Sequence, residues 1–257
     1  LSSEVLVPVL FAWVIMGFST AITWTCARLL RWPPAITGAL LLVTVLGNTS
    51  FIGLPLIEAH LGPDALPYAI LYDQLGTFIA LNTLGIAIAG HYSSAANHQA
   101  AGQSPKRASF WQTVLRFPPF CALLVGFALH SVALPWYIEE VLQKLAATLV
   151  PVVMLAVGLQ WKLRIERKEY PYIVFALIFI LLVKPFFTLL LLQPLDIDPP
   201  IARTIVLSAA MPAMISTSAL ALMYQLAPRL VSTIIGYSLA LAFLTVWLWK
   251  LLVIQWL

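Results

Sequence analysis

A polar, helix-breaking stretch interrupts an otherwise apolar segment in the first quarter of the chain. The segment is apolar from Ala35 to Leu46 and then reads Gly47-Asn48-Thr49-Ser50-Phe51-Ile52-Gly53-Leu54-Pro55. Glycine weakens a helix, proline removes a backbone donor, and the Asn, Thr and Ser side chains can pair with the backbone groups that a break leaves free. In a bilayer such a break is tolerated only where it faces protein or a water-filled cavity. We therefore predict a broken helix near the bilayer midplane, with a proline-kinked packing helix as the alternative.

A second interruption lies in the other half of the chain. The apolar run that begins at Ile201 is broken by Ser208-Ala209-Ala210-Met211-Pro212, about as far into its segment as the first break. Two interrupted segments at corresponding positions of two halves are the best sequence indication of a transporter site between inverted repeats. The two segments share little identity, so the repeat is predicted from spacing and hydropathy.

Composition places the chain in a membrane. Of its 257 residues, 61% are hydrophobic and 9% are charged, whereas about a quarter are charged in soluble domains. Several stretches reach the length of about 20 residues that a spanning helix needs. They are eight in number, roughly 5–27, 35–60, 66–90, 113–134, 141–161, 171–193, 201–224 and 230–254. We therefore expect an all-α membrane protein; the small, dispersed net charge of +4 does not indicate nucleic-acid binding.

The distribution of Lys and Arg predicts the orientation. Most of these 14 residues fall in alternate connections between spans. The positive-inside rule places the loops 28–34, 91–112 and 162–170 in the cytoplasm and both ends of this chain outside.

The 91–112 connection is the only long polar one and is predicted to join two halves, 1–90 and 113–257. Its His91 and His98 lack the Cys or carboxylate neighbours of a metal site, so we expect a solvated loop and no metal. Three spans precede this joint and five follow it. A five-plus-five repeat would therefore need two further spans before the present start, and we expect the sequence to lack them.

These segments resemble the auxin efflux carrier family of permeases, which includes plant auxin exporters and bacterial malonate and malate carriers. The matching motifs are short and apolar but keep the family's order over nearly the whole chain. They are Gly47 to Pro55 followed by His60-Leu61-Gly62-Pro63-Asp64-Ala65, Phe117-Pro118-Pro119-Phe120 with Gly126, Pro151 with Gly158, Lys184-Pro185, and Ala210-Met211-Pro212-Ala213 with Tyr224. The resemblance implies ten spans in two inverted halves, eight of them present here, and two crossed broken helices that hold an organic anion.

By position, the resemblance puts the first crossover at Gly47 to Pro55 and the second at Ser208 to Ser216. The implied substrate-binding residues are Asn48, Thr49, Pro55, Ser208, Met211, Pro212 and Ser216. Gly47 stands where plant members often have proline, and the second crossover has no asparagine, so a bacterial-type carrier of small mono- or dicarboxylates is favoured over an auxin carrier. Helix N-termini exposed at a break carry about half a positive charge and free N–H groups, which suits a carboxylate.

Two charged residues lie deep within predicted spans, Asp73 in the third and Lys184 in the sixth. A charge at a helix centre costs about 2.5–3.5 kcal/mol on insertion scales, so both should face protein or water and have partners. Because the resemblance places both spans in the mobile domain, we expect a mutual ion pair that is either structural or involved in proton coupling.

Other functional classes have less support. The sequence contains no HExxH motif, no pair of intramembrane aspartates and no Ser-His arrangement at span depth, so we predict no catalytic site. A sodium-coupled symporter of the bile-acid type is the nearest alternative, because unwound carbonyls can bind Na⁺. A sensor built on a carrier fold would lack a soluble output domain in this sequence.

The expected partners are a small organic anion and the lipid bilayer, without nucleic acid. We expect no cofactor, with coupling to H⁺ or Na⁺ and assembly as a homodimer both left open. The expected location is a bacterial inner membrane, which the chain crosses several times.

Overall fold

The computed structural model describes residues 3–101, 135–160 and 165–256, together with residues 121, 125, 126, 128 and 129. These parts of the chain are helical, and the single pairing of extended backbone in them is one isolated antiparallel bridge. The all-α membrane class is therefore supported. The predicted span 113–134 lies almost entirely outside the described residues.

Eleven α-helices make up most of the described chain, and four of the predicted spans are divided between two or more helical pieces. The α-helices are α1 (Ser3–Leu29), α2 (Pro34–Val45), α3 (Leu54–Leu61), α4 (Leu66–Leu71), α5 (Ile86–Ala101), α6 (Trp136–Gln160), α7 (Tyr170–Ile178), α8 (Lys184–Leu192), α9 (Pro199–Ala209), α10 (Ser216–Met223) and α11 (Pro228–Trp256). Four π-helical segments, Thr49–Gly53, Tyr72–Phe78, Leu81–Gly85 and Phe179–Val183, and two short 3₁₀ turns, Pro63–Ala65 and Arg167–Glu169, complete them.

Within the described residues, four stretches are apolar and long enough to cross a bilayer as nearly continuous helices. They are Leu6–Leu29, Pro63–Ser93, Arg167–Leu192 and Pro228–Trp256, and the shorter apolar helix α2 lies among them. Large apolar side chains such as Trp13, Phe243 and Trp247 remain exposed along α1 and α11. A surface of this kind is expected where a helix faces lipid instead of water.

The connection predicted to begin at residue 91 starts later in the structure. Helix α5 continues to Ala101, and residues beyond it in the 91–112 joint lie outside the described part. The extension contains several alanines, which are the best helix formers, and no glycine or proline before Gly102. The polar composition of residues 91–101 therefore does not end the helix, because polar residues other than glycine and proline can continue it.

Helix α2 lies at the centre of the fold. Every residue from Thr37 to Val45 is buried, and α1, α5 and α11 pack around this helix. A Cβ added at Gly38 would come within 2.7 Å of the Tyr92 Cβ, so glycine is what allows α2 and α5 to approach so closely. Small residues serve this purpose at helix contacts in membranes, where van der Waals packing drives association.

Two π-helical segments receive indole hydrogen bonds from neighbouring helices. Trp249 on α11 donates to the Leu181 carbonyl at 2.8 Å, and Trp13 on α1 donates to the Leu75 carbonyl at 3.1 Å. The wider π turn disturbs the regular backbone ladder, and a carbonyl in it can accept a bond from outside. These bonds fasten α11 and α1 to the helices that carry Lys184 and Asp73.

Candidate functional site

The two predicted interruptions meet in the structure. Helix α2 ends at Val45 and α9 ends at Ala209, and the extended backbone that follows each helix pairs at an antiparallel bridge between Gly47 and Ala213. The Asn48 N–H donates to the Pro212 carbonyl at 2.8 Å, and the Met214 N–H donates to the Leu46 carbonyl at 3.0 Å. We call this meeting point, residues 46–49 and 208–214, the crossing. Each break satisfies backbone groups of the other, as a buried irregular segment requires.

Two polar side chains at the crossing are buried without hydrogen-bond partners among the described residues. They are the amide nitrogen of Asn48 and the hydroxyl of Ser208, in residues that are each 1% exposed. Most buried polar atoms in folded proteins are paired, so an unpaired donor needs a specific explanation. Two such donors at one crossing are suited to a polar ligand that supplies the missing acceptors.

Lys184 adds a positive charge to the same place. A Cβ placed on Gly47 would lie 3.6 Å from the Lys184 ammonium nitrogen and 3.8 Å from the Met211 carbonyl oxygen. The lysine is 3% exposed, and no hydrogen bond or ion pair to its ammonium occurs within the described part of the chain. A buried charge is costly unless it is paired. The crossing therefore combines an unpaired cation with unpaired neutral donors.

Asp73 contacts the first break through hydrogen bonds from two hydroxyl groups and one amide. Thr49 donates to Oδ1 at 2.6 Å, and Ser50 and Gln74 donate to Oδ2 at 2.6 and 2.8 Å. Because the single Thr49 proton is used for the carboxylate, Thr77 must donate the 2.8 Å bond that joins the two threonine hydroxyls. An ionised carboxylate only accepts hydrogen bonds, and here every partner donates. The network ties the start of the second half-helix to the third span.

The ion pair expected between Asp73 and Lys184 is not present among the salt bridges of the described residues. Each charge instead contacts the crossing region by itself, the carboxylate through Thr49 and the ammonium beside Gly47. The positions of Asp73 and Lys184 within their predicted spans indicate how deep each residue lies in the membrane. They do not indicate the direction in which each side chain points. Hydroxyl donors next to the carboxylate satisfy it without a cation.

The remaining predicted site residues divide into two groups. Thr49 binds Asp73, and Met211 and Pro212 line the crossing with their backbone carbonyls. Pro55 is exposed in the first turn of α3, and Ser216 is half-buried in the first turn of α10, so both lie outside the bonds that join the breaks.

Some polar residues near the second break serve the backbone instead. The Thr217 hydroxyl donates to the Met214 carbonyl at 2.6 Å, and the Ser218 hydroxyl donates to the Ile215 carbonyl at 2.9 Å. Such local bonds are common for Ser and Thr in helices. Sequence reasoning missed Ser50 and Gln74 as partners of Asp73, and it missed Thr77, which joins the same network through the Thr49 hydroxyl. The spacing of Thr77, one turn after Asp73, was the available signal, because residues four apart share a helix face.

A helical membrane protein whose two broken helices meet at a buried polar crossing has the architecture of a secondary transporter. Comparison with known families agrees with this class. Residues 2–250 match the family described as "Membrane transport protein", and the chain belongs to that family. This is the auxin efflux carrier-like family that the sequence motifs resemble, so that expectation is confirmed.

Two archaeal relatives extend the comparison. An uncharacterized transporter of Methanocaldococcus jannaschii is 25% identical over 217 residues, which cover 82% of this chain and 67% of the relative. An uncharacterized transporter of Methanothermobacter thermautotrophicus is 28% identical over 255 residues, covering 97% of this chain and 79% of the relative. The protein is thus a multi-pass membrane transport protein, and a bacterial inner-membrane location stays a prediction.

Proposed function

We propose that the protein is a secondary transporter that carries a small organic anion, a mono- or dicarboxylate, bound at the crossing. The observation that supports this most is the Lys184 ammonium, buried beside Gly47 with no counter-ion among the described residues. A substrate carboxylate would supply that counter-ion. It would also accept hydrogen bonds from the Asn48 amide and the Ser208 hydroxyl, which have no partners in the part of the chain that the structure describes.

The position of the crossing suits alternating access. In transporters built from inverted repeats, one unit moves against another around a site held by broken helices near the bilayer midplane. Here the breaks are joined by only a few backbone bonds, such as the one from Asn48 to Pro212. In this proposal, a ligand that bridges Lys184 and Asn48 would change the contacts at the point where the two broken helices meet.

Asp73 is proposed to couple transport to an ion. Its carboxylate contacts Thr49 and Ser50, which directly follow Asn48 in the chain. Protonation of the carboxylate, or binding of a cation to it, would disturb both hydroxyl bonds. A change at Asp73 would therefore reach the substrate-binding residue through one peptide unit.

Counterflow in proteoliposomes tests the proposal directly. Vesicles containing the protein and loaded with one of a panel of mono- and dicarboxylates should accumulate the same labelled acid from outside. Asn48→Ala should weaken binding of the transported acid by roughly 1–3 kcal/mol, the usual effect of removing a partner from a buried polar contact. The proposal fails if no carboxylate exchanges while the protein is folded and correctly inserted.

Two serines near the second break provide a matched control. Ser208→Ala removes an unpaired hydroxyl at the crossing, whereas Ser218→Ala removes a hydroxyl already bonded to the Ile215 carbonyl. Only the first should weaken substrate binding. If both variants weaken substrate binding equally, the two serines act through local packing, and the Ser208 hydroxyl does not contact the ligand.

A sodium-coupled symporter is the second candidate, and the Asp73 network favours it specifically. One carboxylate and the hydroxyl oxygens of Thr49, Ser50 and Thr77 form an oxygen-rich cluster, and oxygen ligands are those that hard cations prefer. The hydroxyls would have to turn their lone pairs toward the cation. Uptake measured at fixed membrane potential, with sodium replaced by an impermeant organic cation, separates this candidate from a proton-coupled or uncoupled carrier.

A further inference from the structure

A polar pocket lies at the end of α1, away from the crossing. It has a volume of about 420 Å³ and lies between the end of α1, the start of α2 and residues 91–92 of α5. Its polar lining includes Arg28, Thr37, His91 and Tyr92. The Arg28 guanidinium lies 4.8 Å from the centre of the Trp24 ring, and no carboxylate in the described part of the chain forms a salt bridge with it. The pocket therefore presents an arginine whose charge is not neutralised.

An apolar groove adjoins this pocket and shares Trp24 with it. The groove has a volume of about 530 Å³ and follows one face of α1 from Trp24 to Trp13, with Leu84 opposite. A Cβ added at Gly17 would have no atom within 4 Å, so the groove is open at its middle. Eleven residues of helix rise about 16 Å at 1.5 Å per residue, close to half of the roughly 30 Å hydrocarbon core of a bilayer. The groove is thus about as long as one leaflet is deep.

The two cavities together have the form of a lipid site. Tryptophan and tyrosine favour the membrane interface, and Trp24, Trp32 and Tyr92 surround the polar pocket. The adjacent 28–34 loop is one of the basic loops that the charge rule places in the cytoplasm. Arginine binds phosphate well because its planar group donates several hydrogen bonds.

We propose that the pocket and the groove hold one anionic phospholipid, with its phosphate at Arg28 and an acyl chain along α1 from Trp24 toward Trp13. A soluble phosphate would use the polar pocket alone and leave the groove without a function. The shared tryptophan, which lines both cavities, favours a ligand with a charged head and an apolar chain.

Bromine-labelled lipids provide the test, because bromine quenches tryptophan fluorescence on contact. The full chain is reconstituted in phosphatidylcholine vesicles that contain a minor fraction of either brominated phosphatidylglycerol or brominated phosphatidylcholine. The unmodified protein should be quenched preferentially by phosphatidylglycerol. Arg28→Gln should reduce this preference about fivefold, the effect of one basic residue near an anionic surface.

Two matched variants separate a specific site from general effects. Arg31→Gln removes the same charge three residues further along the chain, and Arg31 does not line the pocket. Gly17→Leu fills the groove, whereas Val14→Leu enlarges an exposed side chain of α1 that does not line it. Arg28→Gln and Gly17→Leu should each lower the preference, and their controls should not. Arg28 and Gly17 are both exposed, so the fold should persist in the variants.

Three results would overturn the proposal. The first is equal quenching by the two brominated lipids in the unmodified protein. The second is the same loss for Arg28→Gln and Arg31→Gln, which would reveal only the general attraction of a basic loop to anionic lipid. The third is loss of the preference when inorganic phosphate is added, with Gly17→Leu silent, which would assign the pocket to a free anion.

Discussion

Replacement of Lys184 by methionine separates a ligand-binding charge from a structural one. The side chain is 3% exposed, and its ammonium lies beside Gly47 at the crossing. Methionine keeps an unbranched apolar chain in the same space and removes the charge. Because no ion pair is lost in the described part of the chain, the substitution strands no partner.

The expected magnitudes have opposite signs for binding and for stability. A hydrogen bond to a charged group contributes about 1.5–3 kcal/mol, so Lys184→Met should raise the Kd for the carboxylate about 10- to 150-fold. The same change removes the desolvation cost of a buried cation that has no ion-pair partner among the described residues. Hydrophobic replacements of buried charges are often neutral or stabilising. The ligand-free variant should therefore unfold at the same temperature as the unmodified protein or at a higher one.

Isothermal titration with the carboxylate identified by counterflow gives the Kd, and thermal unfolding in detergent gives the stability without ligand. Lys250→Met is the control, because Lys250 is a half-buried cation on α11 and no hydrogen bond or ion pair joins it to the crossing among the described residues. An unchanged Kd for Lys184→Met would refute the proposed counter-ion role. A large loss of ligand-free stability would instead show that the ammonium supports the fold.

Three further predictions follow from contacts of the described residues. Asp73→Asn and Lys184→Met should have additive effects on stability, within about 0.5 kcal/mol, because the two charges do not pair with each other. A larger coupling energy in a double-mutant cycle would contradict this prediction and indicate that the two residues form an ion pair. Gly53→Ala should lower the free energy of unfolding by about 1–3 kcal/mol, because the added Cβ would lie 3.1 Å from the Asn48 carbonyl oxygen. Gly47→Ala should leave the unfolding temperature unchanged, because its added Cβ would have no atom nearer than 3.6 Å. Trp249→Phe should lower the free energy of unfolding by about 1–3 kcal/mol, since it leaves a buried carbonyl without its 2.8 Å indole donor, and unchanged thermal unfolding would contradict this.

The breaks were predictable because they follow from single-residue chemistry. Glycine and proline weaken a helix wherever they stand, so Gly47 and Pro212 indicated interruptions without any knowledge of the fold. Helices α2 and α9 end within a few residues of these positions, at Val45 and Ala209. The inverted repeat is a different kind of statement, because it concerns how whole spans are related, and it stays a prediction.

The partners of the buried charges were not predictable in the same way. The cost of burying a charge in a membrane requires that Asp73 and Lys184 have polar neighbours, but it does not identify those neighbours. An ion pair between an aspartate and a lysine at similar depth is the simplest way to satisfy both charges. The described residues do not form that pair. Asp73 is satisfied by hydroxyls that a helix break brings beside it, and these become available only once the break has formed. The interruption therefore decides the electrostatics of the site as well as its shape, because it separates an aspartate that is satisfied within the fold from a lysine that is left for the ligand.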